Sequence, residues 1–226
     1  MDEVFIPALI LDRIPYRDRD FVLTLLTRGQ GLVSALARSV RGSRRRFGGL
    51  DLFVLFQAHV RMQPPPKLSS LVEIEPVRQF PGILADLDRL EVGQAMLVIT
   101  RDLLRDAPAP AGVFDLVATQ FERLENAPRT QVHRPLLDLC VGIVAELGHM
   151  PEGPVCPSCG RGLDPGIVML DGGSIVCIEC GKNLGGAAFD PRVLNETGTT
   201  RREVLAFLTH LMSAVLGRPY RIPLVP

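Results

Sequence analysis

Tryptophan is absent from this 226-residue chain, and tyrosine and lysine occur only twice each, the lysines at Lys67 and Lys182. Bases commonly stack on aromatic faces, so any nucleic-acid site here must draw on phenylalanine or histidine. Scarce lysine also narrows the enzymes this chain can be. No phosphate-cradling Gly-x-x-x-x-Gly-Lys occurs, and neither lysine has the context of a nucleotidyl carrier. The four histidines, His59, His133, His149 and His210, are scattered without a serine or cysteine partner. His149 is followed by Met150 and Pro151, so the His-x-Glu of zinc deaminases is missing. These absences lead us to expect a protein that is not an enzyme.

Long apolar runs are missing too. None reaches the roughly eighteen residues that a membrane helix requires, so no membrane association is expected. Met1-Asp2-Glu3-Val4 carries neither a basic nor an apolar leader. The expected setting is the cytoplasm, where thiols stay reduced and a disulfide framework is not expected.

A hydrophobic share of 46% with 22% charged residues describes a globular protein. The formal net charge is zero, yet its distribution is uneven. Residues 1–80 carry twelve Lys and Arg against eight Asp and Glu, a balance of +4. Residues 81–226 carry thirteen against seventeen, a balance of −4. A basic N-terminal part is joined to an acidic C-terminal one.

The basic part reads as β. Val4–Leu11, Phe21–Thr27 and Leu32–Arg38 are apolar runs of strand length, separated by turn residues such as Pro15-Tyr16-Arg17-Asp18. From Leu50 to Met62 apolar residues at even positions alternate with Asp51, Phe53, Leu55, Gln57, His59 and Arg61, the period of a strand with two faces. A fifth short strand, Leu68–Ile74, follows Pro64-Pro65-Pro66. Five strands with short turns in about 75 residues suit a small closed barrel of the OB type. The pattern changes at Pro76–Pro81. Ile83–Leu104, Phe114–Leu124 and Val132–Leu147 have helical apolar spacing, Gly148 supplies a C-cap, and helix resumes after Thr200. The fold class is therefore α+β, with a barrel over 1–78 and a helical domain over 79–226.

Within the helical domain lie Cys156-Pro157-Ser158-Cys159-Gly160 and Cys177-Ile178-Glu179-Cys180-Gly181, with seventeen residues between Cys159 and Cys177. Paired Cys-x-x-Cys knuckles at this separation have the spacing of a tetrahedral Cys₄ zinc site. The glycine after each pair suits a turn with positive φ. Four thiolates complete the shell and leave no position for substrate, so one structural zinc is expected on Cys156, Cys159, Cys177 and Cys180. The module is inserted at about 151–187. Its few apolar residues, Leu163, Ile167, Val168, Ile175 and Val176, make a poor core without metal. Cys140 lies on the apolar side of a helix and is expected in the core.

Between the third and fourth strands, Arg38 to Gly49 holds Arg38, Arg41, Arg44, Arg45 and Arg46 with three glycines and no acid. Charges this dense gain nothing for folding, whereas an arm that neutralises phosphates gains from counterion release. Arg38, Arg41, Arg44, Arg45 and Arg46 are the expected DNA contacts. Phe47 is a stacking candidate in the loop, and Phe53, His59 and Arg61 are candidates on the outer face of the long strand, where Phe53 alternatively packs against helices.

These segments, taken in order, resemble the bacterial RecO family of recombination and repair mediators. The likeness runs through Ile10–Asp20, where the family has a Tyr-Gly-Glu-x-Asp-like turn, and through Leu26–Arg38. It continues through the basic Ser-Arg loop, the Gly148 helix end and both knuckles. Arg17 and Asp18 stand where the family has Gly and Glu, and Ser39 where a Gly is common. The resemblance implies an OB domain, then a helical domain with the zinc module. It also implies binding of single- and double-stranded DNA and annealing of complementary strands. The partners implied are RecR, the single-strand DNA-binding protein and, indirectly, RecA, in a bacterial cytoplasm close to the nucleoid. An alternative, favoured by the acidic C-terminal half, is a zinc-ribbon adaptor or transcription regulator that binds protein.

Overall fold

Inward and outward side chains alternate strictly over Val54–Arg61 (β4), from buried Val54 to buried Val60, and this strand sits at the seam of a closed five-stranded barrel. The computed structural model describes the whole chain except residues 1–2, 41–46, 48, 65, 106–109, 150–154, 164–165, 170–173, 183, 185, 191–192, 194–199 and 225–226. The other barrel strands are Glu3–Tyr16 (β1), Asp20–Thr27 (β2), Gly31–Ala37 (β3) and Ser69–Gln79 (β5), in the order β1-β2-β3-β5-β4. Closure depends on the length of β1. Its first half pairs antiparallel with β4, from Glu3↔Arg61 to Leu9↔Leu55. Its second half pairs with β2, from Ala8↔Thr27 to Tyr16↔Asp20, across a bulge between Ile10 and Asp12. A short parallel pairing of β3 with β5, Ala35↔Ser69 to Ala37↔Leu71, completes the ring. Alanines at 8, 35, 37 and 58 point inward and are fully buried beside Phe56, Leu25 and Ile74. A barrel this narrow needs such alternation of small and large residues to fill its taper. The expected OB-type barrel is what the chain forms.

β4 begins four residues later than the alternation predicts. Phe53 has φ of 58°, which turns its ring out of the strand and into a buried contact with Phe121, while Phe80 N–H donates to the Phe53 carbonyl at 3.1 Å. Phe53 is thus a packing residue and presents no stacking face. Its neighbours come from three helices, Pro81–Leu84 (α1), Leu87–Leu104 (α2) and Gly112–Asn126 (α3). The expected helix from Ile83 is broken because the Asp86 side chain caps α2, accepting from Arg89 N–H at 3.2 Å. Gly93 in α2 faces the Phe53 ring so closely that a Cβ there would lie 2.7 Å from it. Helix α2 also packs on β1, and ion pairs join barrel to helix at Arg101–Asp12 (2.7 Å) and Arg28–Asp115 (2.8 Å). The compact unit consequently extends over Met1–Thr130. The change from strand to helix near residue 80 is where composition places it, but helices α1–α3 share the unit of the barrel.

The second unit, Gln131–Pro226, contains Arg134–Glu146 (α4) and Arg201–Leu216 (α6), which pack together. Gly148, with φ of 81°, ends α4 in a Schellman turn: its own N–H reaches Ala145 O and His149 N–H reaches Val144 O. Cys140 is fully buried on α4, and burial pushes its thiol pKa far up, as suits a small hydrophobe. Helix α6 opens on a reciprocal capping box between Thr200 and Glu203. Between these helices in sequence lie Ile167–Met169 (β6), Ile175–Cys177 (β7), Ile178–Gly181 (α5) and Ala187–Phe189 (β8), with sheet order β7-β6-β8. The Phe189 ring meets Phe207 of α6 edge to face at 5.3 Å. Among the described residues no helix is long and apolar enough to cross a membrane.

Candidate metal centre and nucleic-acid interface

The sulfurs of Cys156, Cys159, Cys177 and Cys180 all lie within 4.8 Å of one another, and Cys159 Sγ is 3.7 Å from Cys177 Sγ. Sulfurs at the corners of a tetrahedron with bonds of about 2.3 Å stand roughly 3.8 Å apart, so the cluster has the dimensions of a four-thiolate site. Local folding brings the pairs together. In the first knuckle, Cys156 N–H donates to Arg161 O at 2.7 Å and Gly160 N–H donates back to Cys156 O at 2.8 Å. That tight loop requires Gly160 in the left-handed region, with φ of 72°. In the second knuckle β7 delivers Cys177 and α5 carries Cys180. Gly181 serves a different purpose from the one expected. Its φ is not positive, and a Cβ would come within 2.5 Å of the Val168 side chain, so absence of a side chain lets α5 close on β6.

The electrostatics fit a metal. A backbone N–H at Cys177, with help from those at Ser158 and Cys159, lowers the Cys156 thiol to about 6, because hydrogen bonds to the thiolate favour it. Cys180, crowded first by Cys159 and then by Cys177, is raised to about 12. Four thiols this close cannot all ionise without a cation among them, and a coordinating cation removes that conflict. Cys156 and Cys177 are buried, Cys180 is half-buried and Cys159 is exposed. Leu163, Ile167, Val168, Ile175 and Val176 are all buried around them.

The arginine segment is fixed at both ends. Ser39 N–H donates to Asp20 Oδ1 at 2.8 Å and Val40 N–H to Arg19 O at 2.8 Å. Arg38 is exposed beside this anchor. On the far side Phe47 forms a parallel bridge to Ile74 and is 3% exposed inside the barrel core. Phe47 is therefore a core anchor, and its ring is withdrawn from any base. It stayed hidden in the sequence because a single long-range bridge decides its placement. Arg41, Arg44, Arg45 and Arg46 lie outside the described residues.

Arg61 is placed on the outer face of β4 as expected, but its guanidinium is occupied. Glu3 Oε1 accepts from Arg61 Nη2 at 2.6 Å and from Nε at 2.9 Å, while Glu3 Oε2 meets His59 Nε2 at 2.9 Å. Both partners, Arg61 foremost, hold the Glu3 carboxyl below its ordinary range. β5 adds Glu73 opposite His59 and Glu75 opposite Gln57. Carboxylates on this face oppose phosphate, so Arg61 is a weaker candidate for a DNA contact than Arg38. Sequence reasoning missed Phe5, which stacks on His59 with ring centroids 4.1 Å apart and remains 67% exposed. The sequence carried no signal for it, because the register that sets Phe5 directly opposite His59 joins distant parts of the chain.

Residues 1–80 match the family model for the N-terminal part of recombination protein O. Over 225 residues the chain is 33% identical to the DNA repair protein RecO of Anaeromyxobacter dehalogenans strain 2CP-C, spanning 99% of this chain and 86% of that protein. It is 32% identical over 229 residues to the DNA repair protein RecO of Anaeromyxobacter sp. strain K, spanning 100% and 85%. With the RecO of Pelobacter propionicus it shares 34% identity over 180 residues, 76% of this chain and 70% of the other.

Proposed function

Because the chain belongs to the RecO family of DNA repair proteins, we propose that it is a recombination mediator. It binds single- and double-stranded DNA, anneals complementary strands, and with RecR helps to load RecA onto strands coated by single-strand binding protein. One observation supports this reading above the others: an arginine-dense segment, Arg38–Arg46, is tethered at Val40 and at Phe47 to an OB-type barrel. Anchors on both sides hold the two ends of this segment at the barrel. Cations that screen two backbones at once leave base edges open to pair. No covalent step and no nucleotide enters this scheme. The metal on Cys156, Cys159, Cys177 and Cys180 is zinc, and it holds β6, β7 and α5 together where five apolar residues are too few to do so.

The test is annealing of two labelled complementary oligonucleotides coated with single-strand binding protein, without ATP. Acceleration over the protein-free reaction is expected. No acceleration, or a strict ATP requirement, would defeat the mediator reading and favour a protein-binding adaptor.

A further inference from the structure

β1 carries an unfinished edge. Residues Glu3–Pro7 pair with β4 on one side only, since pairing with β2 begins at Ala8↔Thr27. The boundary is marked by Arg28 N–H, which donates to Pro7 O at 3.0 Å. Backbone groups of alternate residues in a strand point the same way, so the N–H and C=O of Phe5 face the open edge. Among the described residues nothing pairs with them there. Phe5↔His59 is then a pair without mutual backbone hydrogen bonds, the closer of the two antiparallel spacings. This explains the near-parallel ring stack, 18° between planes. His59 covers one face of the Phe5 ring, Glu3 fixes His59, and the other ring face looks toward the empty edge.

The charge on this outer face has one sign in excess. Glu3, Glu73 and Glu75 stand against Arg61 and Arg78, Arg78 is itself paired with Glu122, and neither Glu73 nor Glu75 has a salt-bridge partner among the described residues. Unpaired strand edges attract further strands, and a strand added here would set one side chain opposite Phe5, across from His59.

We propose that the Glu3–Pro7 edge of β1 is a strand-addition site for an extended segment of a protein partner bearing arginine opposite Phe5. The partner's backbone pairs with Phe5, and its guanidinium lies on the free ring face, beside the strand that carries Glu3 two residues away. A DNA strand suits this face poorly, because phosphates would meet three carboxylates. The site stands apart from the nucleic-acid reading and does not depend on it.

The full chain, with its phenylalanine and histidine side chains isotopically labelled, is titrated with a capped peptide, acetyl-Thr-Val-Arg-Val-Thr-amide, and followed by NMR. Three controls run beside it: the same peptide with glutamate at the centre, one N-methylated at alternate residues, and a single-stranded oligonucleotide. Saturable shifts at Phe5 and His59 with the arginine peptide are expected. Phe5→Ala, with unchanged melting of the protein, should weaken that binding about two- to fivefold, and N-methylation should abolish it. No binding, equal binding of the glutamate or N-methylated peptide, or no effect of Phe5→Ala would overturn the proposal. Oligonucleotide affinity should be unaltered by Phe5→Ala. A loss of oligonucleotide binding there would instead make the face a DNA surface, which also overturns it.

Discussion

Phe53 and Phe121 meet edge to face, ring centroids 5.5 Å apart and planes 75° apart, and through them the start of β4 is fastened to α3. Phe80 closes on the same Phe121 ring at 5.6 Å. Gly93 of α2 leaves the space the Phe53 ring fills, with Ile83 Cγ2 only 3.0 Å from where a Cβ would sit. Phe53→Ala should cost about 3–5 kcal/mol, and Gly93→Ala about 1–3 kcal/mol by overpacking. The double variant should lose less than the sum, because the ring that the new methyl strikes has gone. Urea denaturation followed by far-UV dichroism measures all three, and strict additivity would show that the two positions are not in contact.

Arg17 and Ser39 take φ of 57° and 58°, a region that strains any residue with a Cβ. The relief from glycine is offset in part by the greater freedom glycine has when unfolded. A net gain of about 0.5–1 kcal/mol is expected for Arg17→Gly and for Ser39→Gly. Ser39→Gly keeps the backbone N–H that Asp20 holds. Thermal melting should show a small rise for each, and a fall would place the value of these side chains above their strain.

The barrel was legible because β4 alternates in polarity and turn residues cut the apolar runs on either side of it, although β1 and β5 run to 14 and 11 residues. The four-cysteine cluster was legible because cysteine spacing is itself geometry. What escaped were positions settled by one dihedral or one distant contact. A single positive φ carries Phe53 from the strand into the helices. A single bridge to Ile74 takes Phe47 inside. Phe5 sits in the unbroken apolar run Val4–Leu11, which hides the fact that Leu9 is buried while Phe5 is 67% exposed. The arginine pair of Glu3 could not be foreseen either, since 58 residues separate Arg61 from it.

Zinc content should be about one per chain, and Cys159→Ser should remove the metal and lower stability sharply. Cys140→Ala should leave zinc unchanged, because Cys140 is buried on α4, away from the cluster. Acid competes for the same sulfurs. The Cys156 thiol, lowered to about 6 from 9.0, favours the folded state in its thiolate form. That contribution is complete above the unfolded value near 9 and is lost as pH falls through about 6. Cys180, raised to about 12, acts in the opposite sense: its contribution is complete below about 9 and is lost as pH rises toward 12. Metal-free protein should therefore lose stability as pH falls through about 6. The loaded protein should hold zinc to a lower pH than the free thiol titrates, because a bound cation keeps the thiolates ionised, and should release it on further acidification, read with a metallochromic dye.

DNA affinity should rest on Arg38, Arg41, Arg44, Arg45 and Arg46, with little from Arg61. Each phosphate neutralised on a single strand releases about 0.7 of a counterion, so four to five contacts give a slope of log K against log salt near −3. Replacing Arg44, Arg45 and Arg46 together by Ala should reduce the slope to about −1 and weaken binding to all sequences alike. Arg61→Ala should change neither slope nor affinity appreciably, since Glu3 already holds that guanidinium through two of its nitrogens. Glu3→Ala frees Arg61 and removes one carboxylate from the face, and should strengthen binding slightly at low salt. Fluorescence polarisation with a labelled oligonucleotide over a salt series distinguishes these outcomes. An unchanged slope in the triple variant, together with a flattened one in Arg61→Ala, would move the DNA site from the tethered segment to the outer face of β4.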